Sequence, residues 1–113
     1  MKIAQEDLNK IISNHELWLN NQGGEPADLS YKDLTGLDFQ GRNLSYSNFE
    51  FADLSYANLD RTNLSNSNLI CVNFDGTSMD GTNLDNARME PFLDIFFESN
   101  SARLPIPGPV QWE

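Results

Sequence analysis

One histidine, one cysteine and seventeen carboxylates are the side chains with which this 113-residue chain could do acid, base or nucleophilic chemistry. His15 lies on the apolar side of a segment with helical spacing, which suits a packed or partner-contacting ring better than a general base needing reach to a substrate proton. Cys71 has no second cysteine, so an internal disulfide framework and a cysteine cluster for zinc are both excluded, and it reads as a reduced bystander. The carboxylates could pair for acid–base work, as Asp60 with Asp80. On an open convex surface, however, nothing raises a carboxyl pKa or encloses a substrate. Asn43-Leu44-Ser45 and Asn63-Leu64-Ser65 match a glycosylation acceptor pattern that the repeat described below generates by itself. The nine-residue glycine-rich repeat of calcium-binding rolls is missing. The expectation is a protein that is not an enzyme, with no cofactor and no metal.

The composition narrows the partners. A chain this short fits one domain. Seven basic residues against seventeen acidic ones give a net charge of -10, which argues against nucleic acid and anionic membrane and favours a protein with a basic surface. A hydrophobic fraction of 39% with 7 Phe and 2 Trp is more than a solvated acidic chain carries, so the chain folds. No run of about 18 apolar residues occurs. The segment Met1 to Asn20 carries Glu6, Asp7 and Glu16 and is unlike a signal peptide; the expected location is cytoplasmic.

What positions the carboxylates is a repeat. A large apolar residue recurs every five positions as Leu29, Leu34, Phe39, Leu44, Phe49, Leu54, Leu59, Leu64, Leu69, Phe74, Met79, Leu84 and Met89, giving thirteen units from Ala27 to Pro91. The preceding residue is Asp or Asn in eleven of them, Ser78 and Arg88 being the exceptions, and the residue two before is usually small. Five residues of α-helix leave a drift of roughly 140°, which scatters the apolar side chains around the cylinder. A continuous strand, with its period of two, sends successive units to opposite faces. A coil in which each unit contributes a short extended piece and a corner brings every central residue to one axis.

Units such as Ala27-Asp28-Leu29-Ser30-Tyr31, Ala52-Asp53-Leu54-Ser55-Tyr56 and Ala57-Asn58-Leu59-Asp60-Arg61 resemble the A(D/N)LXX signature of pentapeptide-repeat proteins, and the resemblance covers 65 of the 113 residues. It implies an all-β solenoid, a right-handed quadrilateral β-helix of about three coils. The central and small residues would point inward and the other three positions outward. Asparagines on stacked coils, such as Asn43, Asn63 and Asn83, are expected to satisfy backbone and one another.

Solenoid ends expose apolar coils and unpaired edges, so both flanks should act as covers. Leu8, Ile11, Ile12, His15, Trp18 and Leu19 follow helical spacing, which predicts a capping helix over Gln5 to Asn20, broken by Gly23-Gly24. The organisation is then residues 1–26 as helical cap and linker, 27–91 as repeat, and 92–113 as an apolar segment with a proline-rich tail. Phe92, Leu93, Phe96 and Phe97 either fold over their own last coil or, as the resemblance implies, join two copies into a homodimer.

Every fourth unit stacks into a face. The first face presents Tyr31, Phe51 and Ile70 with Cys71 as an apolar stripe; the second carries Asp33, Asp53 and Asp75, and the third Asp38, Asp60 and Asp80. The fourth is near neutral. The repeat holds ten acids against four bases, a net of -6 over a rod of roughly 16 Å, where duplex DNA carries about 9 charges. The density permits a DNA mimic, and the resemblance to gyrase-targeting members implies an inhibitor or protector that occupies a DNA-binding groove. The alternative is an adaptor that uses the apolar stripe Tyr31, Phe51 and Ile70, or the proline tail, with no relation to DNA.

Overall fold

The structure, a computed structural model, describes residues 2–90. The apolar cluster Phe92, Leu93, Phe96 and Phe97, the proline-rich tail and the homodimer contact assigned to them lie outside the described residues.

The helix α1 spans Gln5–Leu19. Glu6 and Asp7 in its first turn complement the positive end of the helix dipole. Asn20 is its C-cap, and Asn21 just beyond has a φ of 58°, the left-handed conformation that asparagine tolerates. Gln22 N–H then reaches Leu17 C=O at 2.9 Å and Asn21 N–H reaches Trp18 C=O at 3.1 Å, the paired bonds of a Schellman stop. The stop therefore precedes Gly23-Gly24. Gly24 serves the return of the chain instead: a Cβ there would stand 2.2 Å from the Asn14 carbonyl oxygen.

From residue 27 the backbone winds with a twenty-residue register. Parallel bridges join Asp28 to Asn48, Asp33 to Asp53, Asp38 to Asn58 and Asn43 to Asn63, and continue to Asn68 with Arg88. From the second unit on, the described units end in a turn closed over three residues, as Leu37 N–H to Leu34 C=O at 3.3 Å, Arg42 N–H to Phe39 C=O at 3.1 Å and so on to Ala87 N–H with Leu84 C=O at 3.1 Å. The turn's third residue has positive φ in twelve consecutive units, from Tyr31 at 61° to Asn86 at 61°, which is the signature of a type II turn. Four such turns make one coil. Successive coils are joined by main-chain bonds, as Leu54 N–H to Asn73 C=O at 2.9 Å, Tyr56 N–H to Asp75 C=O at 2.8 Å and Asn73 N–H to Ala52 C=O at 3.1 Å.

The central residues Leu29 through Phe74 are buried on the axis, with Phe39 and Phe49 meeting at 6.0 Å and a 57° tilt. From the second coil on, the residue two before the centre also turns inward, which explains why it is small; in the first coil the position holds Lys32, Leu37 and Arg42, and Arg42 reaches Glu16 of α1. Ala52 and Ala57 fill space there, while Thr62 donates its hydroxyl to Phe39 C=O at 2.8 Å and Ser67 to Leu44 C=O at 2.9 Å. Inward hydroxyls thus carry their own acceptors, as buried polar groups require.

The first coil has no coil beneath it, and the N-terminal segment substitutes for one. Ile3 N–H reaches Asp33 C=O at 3.4 Å, and Lys2 Nζ donates to Thr35 C=O. The Gln5 side-chain amide pairs with Asp38 like a strand, donating to its C=O and accepting from its N–H, both at 2.8 Å. Glu16 accepts from Asn43 N–H at 3.2 Å and from Arg42 at 3.0 Å. Buried His15 accepts from Ala27 N–H at Nδ1 and contacts Ser45 C=O through Nε2, each at 2.8 Å. Because Nδ1 is the acceptor, Nε2 carries the proton and donates. Leu8 and Ile12 bury the apolar floor of the coil. The edge that would otherwise recruit another strand is thereby closed on each of its faces.

Candidate protein-interaction surface

The residue before each central position owes its type to the corner that follows. Its side-chain oxygen accepts the N–H two residues on, an Asx turn. Asp33 takes Thr35 N–H at 3.1 Å and its hydroxyl at 2.7 Å, and Asp53 takes Ser55 N–H at 3.0 Å and its hydroxyl at 2.7 Å. Asn63 does the same with Ser65, at 3.0 and 2.7 Å. The expected asparagine ladder is therefore corrected: Asn43, Asn63 and Asn83 cap their own turns, through Ser45, Ser65 and Asp85. A side-chain bond between coils is found where Asn48 donates to Asp28 at 3.4 Å. Ser78 lacks an Asx oxygen for its turn. Asp60 from the coil below supplies it, accepting Asp80 N–H at 2.9 Å and the Ser78 hydroxyl at 2.6 Å.

These bonds hold charge at the surface. The Ser30 hydroxyl and N–H beside Asp28, the Thr35 hydroxyl and N–H beside Asp33, and the Ser78 hydroxyl and Asp80 N–H beside Asp60 hold those carboxyls below the usual carboxylate range. For Glu16 burial pushes the pKa up, but the Arg42 side chain and the Asn43 N–H outweigh it and the net shift is downward. A depressed folded-state pKa stabilises the fold above the unfolded pKa and ceases to do so as pH falls through the folded value. The melting temperature is accordingly expected to be level from neutral pH to about 5 and to drop below about pH 4. The triple variant Asp28→Asn, Asp33→Asn, Asp60→Asn keeps every acceptor and should flatten that drop in a calorimetric pH series. An unchanged acid limb would show that these turns contribute nothing.

The aspartates expected on faces two and three fall into two kinds. Asp33, Asp38 and Asp53 occupy Asx positions, whereas Asp60, Asp75 and Asp80 stand one residue past the centre. All six are exposed or half-buried. The stripe residues Tyr31 and Phe51 stack on successive coils at 5.2 Å with an 11° tilt, and Ile70 is half-buried beside them. The N-terminal helix packs on the coil end and leaves Tyr31 71% exposed.

The left-handed corners went unforeseen. Four are glycine and Asn66 and Asn86 are asparagine, but Tyr31, Tyr46, Phe51, Tyr56, Arg61 and Cys71 adopt the same conformation with φ between 58° and 66°. For a residue with a Cβ that conformation costs roughly 1–2 kcal/mol. Tyr56 lies flat over Gly76, where an added Cβ would stand 2.5 Å from the ring. A glycine five residues away on neither side signals this contact; only the twenty-residue register aligns the two.

The family model for pentapeptide repeats matches residues 33–69 and 57–90 in eight copies, which together span just over half of the chain. The chain belongs to the pentapeptide repeat family. Such repeat proteins are generally structural and often serve as protein-interaction modules. A search of curated proteins returns no match. Among solved structures, the pentapeptide repeat protein Rfr23 of the cyanobacterium Cyanothece 51142 is similar at 35% identity with a TM-score of 0.56, over 57% of this chain and 45% of that one. A pentapeptide repeat protein of the Arabidopsis thaliana thylakoid lumen is 25% identical over 57% of this chain and 55% of that one, with a TM-score of 0.36. One from Nostoc PCC 7120 is 22% identical over 68% and 77%, with a TM-score of 0.31. This pentapeptide repeat chain thus spans about half the length of the first two relatives.

Among the described residues no group of His, Cys, Asp and Glu is arranged to hold a metal ion, and no helix is long and apolar enough to cross a membrane.

Proposed function

We propose that the chain is a non-enzymatic binding protein whose two adjoining acidic faces occupy the basic groove with which a DNA-handling protein grips nucleic acid. The observation that carries this reading is the placement of Asp33, Asp53 and Asp75 on one face and Asp38, Asp60 and Asp80 on the next, fixed by a twenty-residue coil register. A rigid rod presents these charges without an ordering cost at binding. Of the four bases on the rod, Arg42 is engaged with Glu16 at 3.0 Å and Arg88 lies 3.8 Å from Glu90, so Lys32 and Arg61 stand against the six aspartates.

Affinity capture at about 50 mM and about 500 mM salt, with competition by duplex DNA, tests the proposal. A DNA-binding protein held only at low salt, displaced by DNA, and lost when the six aspartates become asparagine is the expected result. The Asp→Asn changes keep the Asx turns, because Asn43, Asn63 and Asn73 already fill such positions. A partner retained at high salt and indifferent to DNA would sink the mimic. It would move recognition to the apolar stripe of Tyr31, Phe51 and Ile70, a reading favoured by the exposed Tyr31–Phe51 stack.

A further inference from the structure

Exposed large aromatic side chains on the described coils all sit at left-handed corners: Tyr31 at 71% exposure, Tyr46 at 59%, Phe51 at 39% and Tyr56 at 73%. A corner of this kind favours glycine or asparagine, and those residues do fill the equivalent places at Gly36, Gly41, Asn66, Gly76, Gly81 and Asn86. The rings add little to the core, so burial does not account for bulky side chains in a conformation that disfavours them. Strain retained at an exposed position is the kind of outlier from which a binding role is argued.

The register places three of these rings around one acidic face. Tyr31 and Phe51 occupy the corner where face one meets face two, and Tyr56 occupies the corner at the other end of face two. Between them stand Asp33 and Asp53, bridged on adjacent coils. The Tyr31 and Phe51 rings are stacked nearly parallel, and Tyr56 is laid against the Gly76 backbone. Each arrangement sets the orientation of a ring at an edge of the face that carries the two carboxylates. A ring face attracts a cation, a carboxylate pairs with one, and a planar guanidinium satisfies both at once, by stacking and by forked hydrogen bonding. An ammonium gains less from the ring, being compact and strongly hydrated.

The geometry points to face two, bracketed by Tyr31, Phe51 and Tyr56, as the docking strip for an arginine-bearing segment of the partner. Charge complementarity favours this occupant: Asp33, Asp53 and Asp75 stand on the face against Lys32, Lys2 at its lower edge is already engaged by Thr35, and the Thr35 hydroxyl and N–H hold the Asp33 carboxyl below the usual carboxylate range. The inference rests on the reading of the acidic faces as a site for a basic partner, and adds which face is gripped and by which cation. Face three, with Asp38, Asp60 and Asp80, shares Tyr56 at its near corner but has Gly41, Arg61 and Gly81 at its far one, so rings flank it on one side only and it contributes mainly long-range attraction.

The test uses the full chain and two probes, an arginine-only and a lysine-only peptide of equal length and charge, titrated calorimetrically at low salt. The arginine peptide is expected to bind about three- to tenfold more tightly. The pair Tyr31→Asn with Tyr56→Asn, which places a residue suited to the corner, should erase that preference while leaving lysine-peptide binding within about twofold. Tyr46→Asn, at a corner away from face two, should leave the preference intact. Asp33→Asn with Asp53→Asn should weaken both peptides. Equal binding of the two peptides, or a preference untouched by the tyrosine pair or equally lost in Tyr46→Asn, overturns this inference and leaves the acidic reading standing. Failure of both peptides to bind overturns the acidic reading itself. Circular dichroism of each variant checks that the coils persist.

Discussion

Phe49→Ala is expected to lower the unfolding free energy by about 3–5 kcal/mol. Phe49 is fully buried on the axis of the second coil, and its ring meets that of Phe39, on the coil below, at 6.0 Å. The neighbours cannot collapse into the space, because main-chain bonds tie each coil to the next; Phe49 itself donates to Asn68 C=O at 2.8 Å and Phe39 to Asn58 C=O at 2.9 Å. A cavity therefore persists, and its cost adds to the lost transfer energy. For a small domain with about 5–15 kcal/mol in total, this removes a large share of the stability. Chemical denaturation followed by circular dichroism reads the change directly. Phe51→Asn, two residues on at an exposed corner, should shift the midpoint little. Equal costs for the two variants would show that the apolar axis does not hold the rod together.

The second large effect is expected at the N-terminal cover. In His15→Ala, Ala27 N–H loses its 2.8 Å acceptor and Ser45 C=O its 2.8 Å donor, and each orphaned buried group costs about 1–3 kcal/mol. The ring also packs 5.5 Å from Trp18, its neighbour one turn along α1, so the loss includes that side-chain contact. His15→Gln can restore at most part of this, since one amide lacks the imidazole's fixed span between two backbone groups. Thermal melts should rank the wild type above the glutamine variant and the glutamine variant above the alanine one. Hydrogen exchange gives a sharper readout: the Ala27 amide should lose protection in His15→Ala. An unchanged Ala27 amide would show that the imidazole does not hold the first coil.

The axis was legible because its signal is a single residue class at a fixed spacing. Leu29 to Met89 marks it without interruption, and the helical spacing of Leu8, Ile12 and His15 marks the face that covers its lower end. The four-sided coil came from the resemblance of the units to a known signature, since a period of five says nothing about how many units close a turn. The corner conformation was not legible. Left-handed φ is read from glycine or asparagine, and six of the twelve corners carry neither, being held instead by the coils around them. The asparagine column carries a related ambiguity: a side chain repeated every twenty residues can bond along the stack, back to its own turn, or both, and Asn43 and Asn63 take the near N–H while Asn48 does both. The cover's polar contacts are distant in the chain, Gln5 with Asp38 across 33 positions and Glu16 with Arg42 across 26, and nothing local announces them. For the docking strip, the composition showed how much charge there is and the period showed where the columns run. Which rings flank which carboxylates follows only from the corners.

The Asx turn accepts a carboxylate and a carboxamide alike, as Asp53 and Asn63 demonstrate with the same two acceptor bonds. Architecture and electrostatics are therefore separable in heritable variation. A single-step exchange between Asp and Asn rewrites one pixel of the potential while the backbone beneath it is indifferent. Selection on a partner's charge pattern can act on such a rod one unit at a time, without first finding a compensating change in the core.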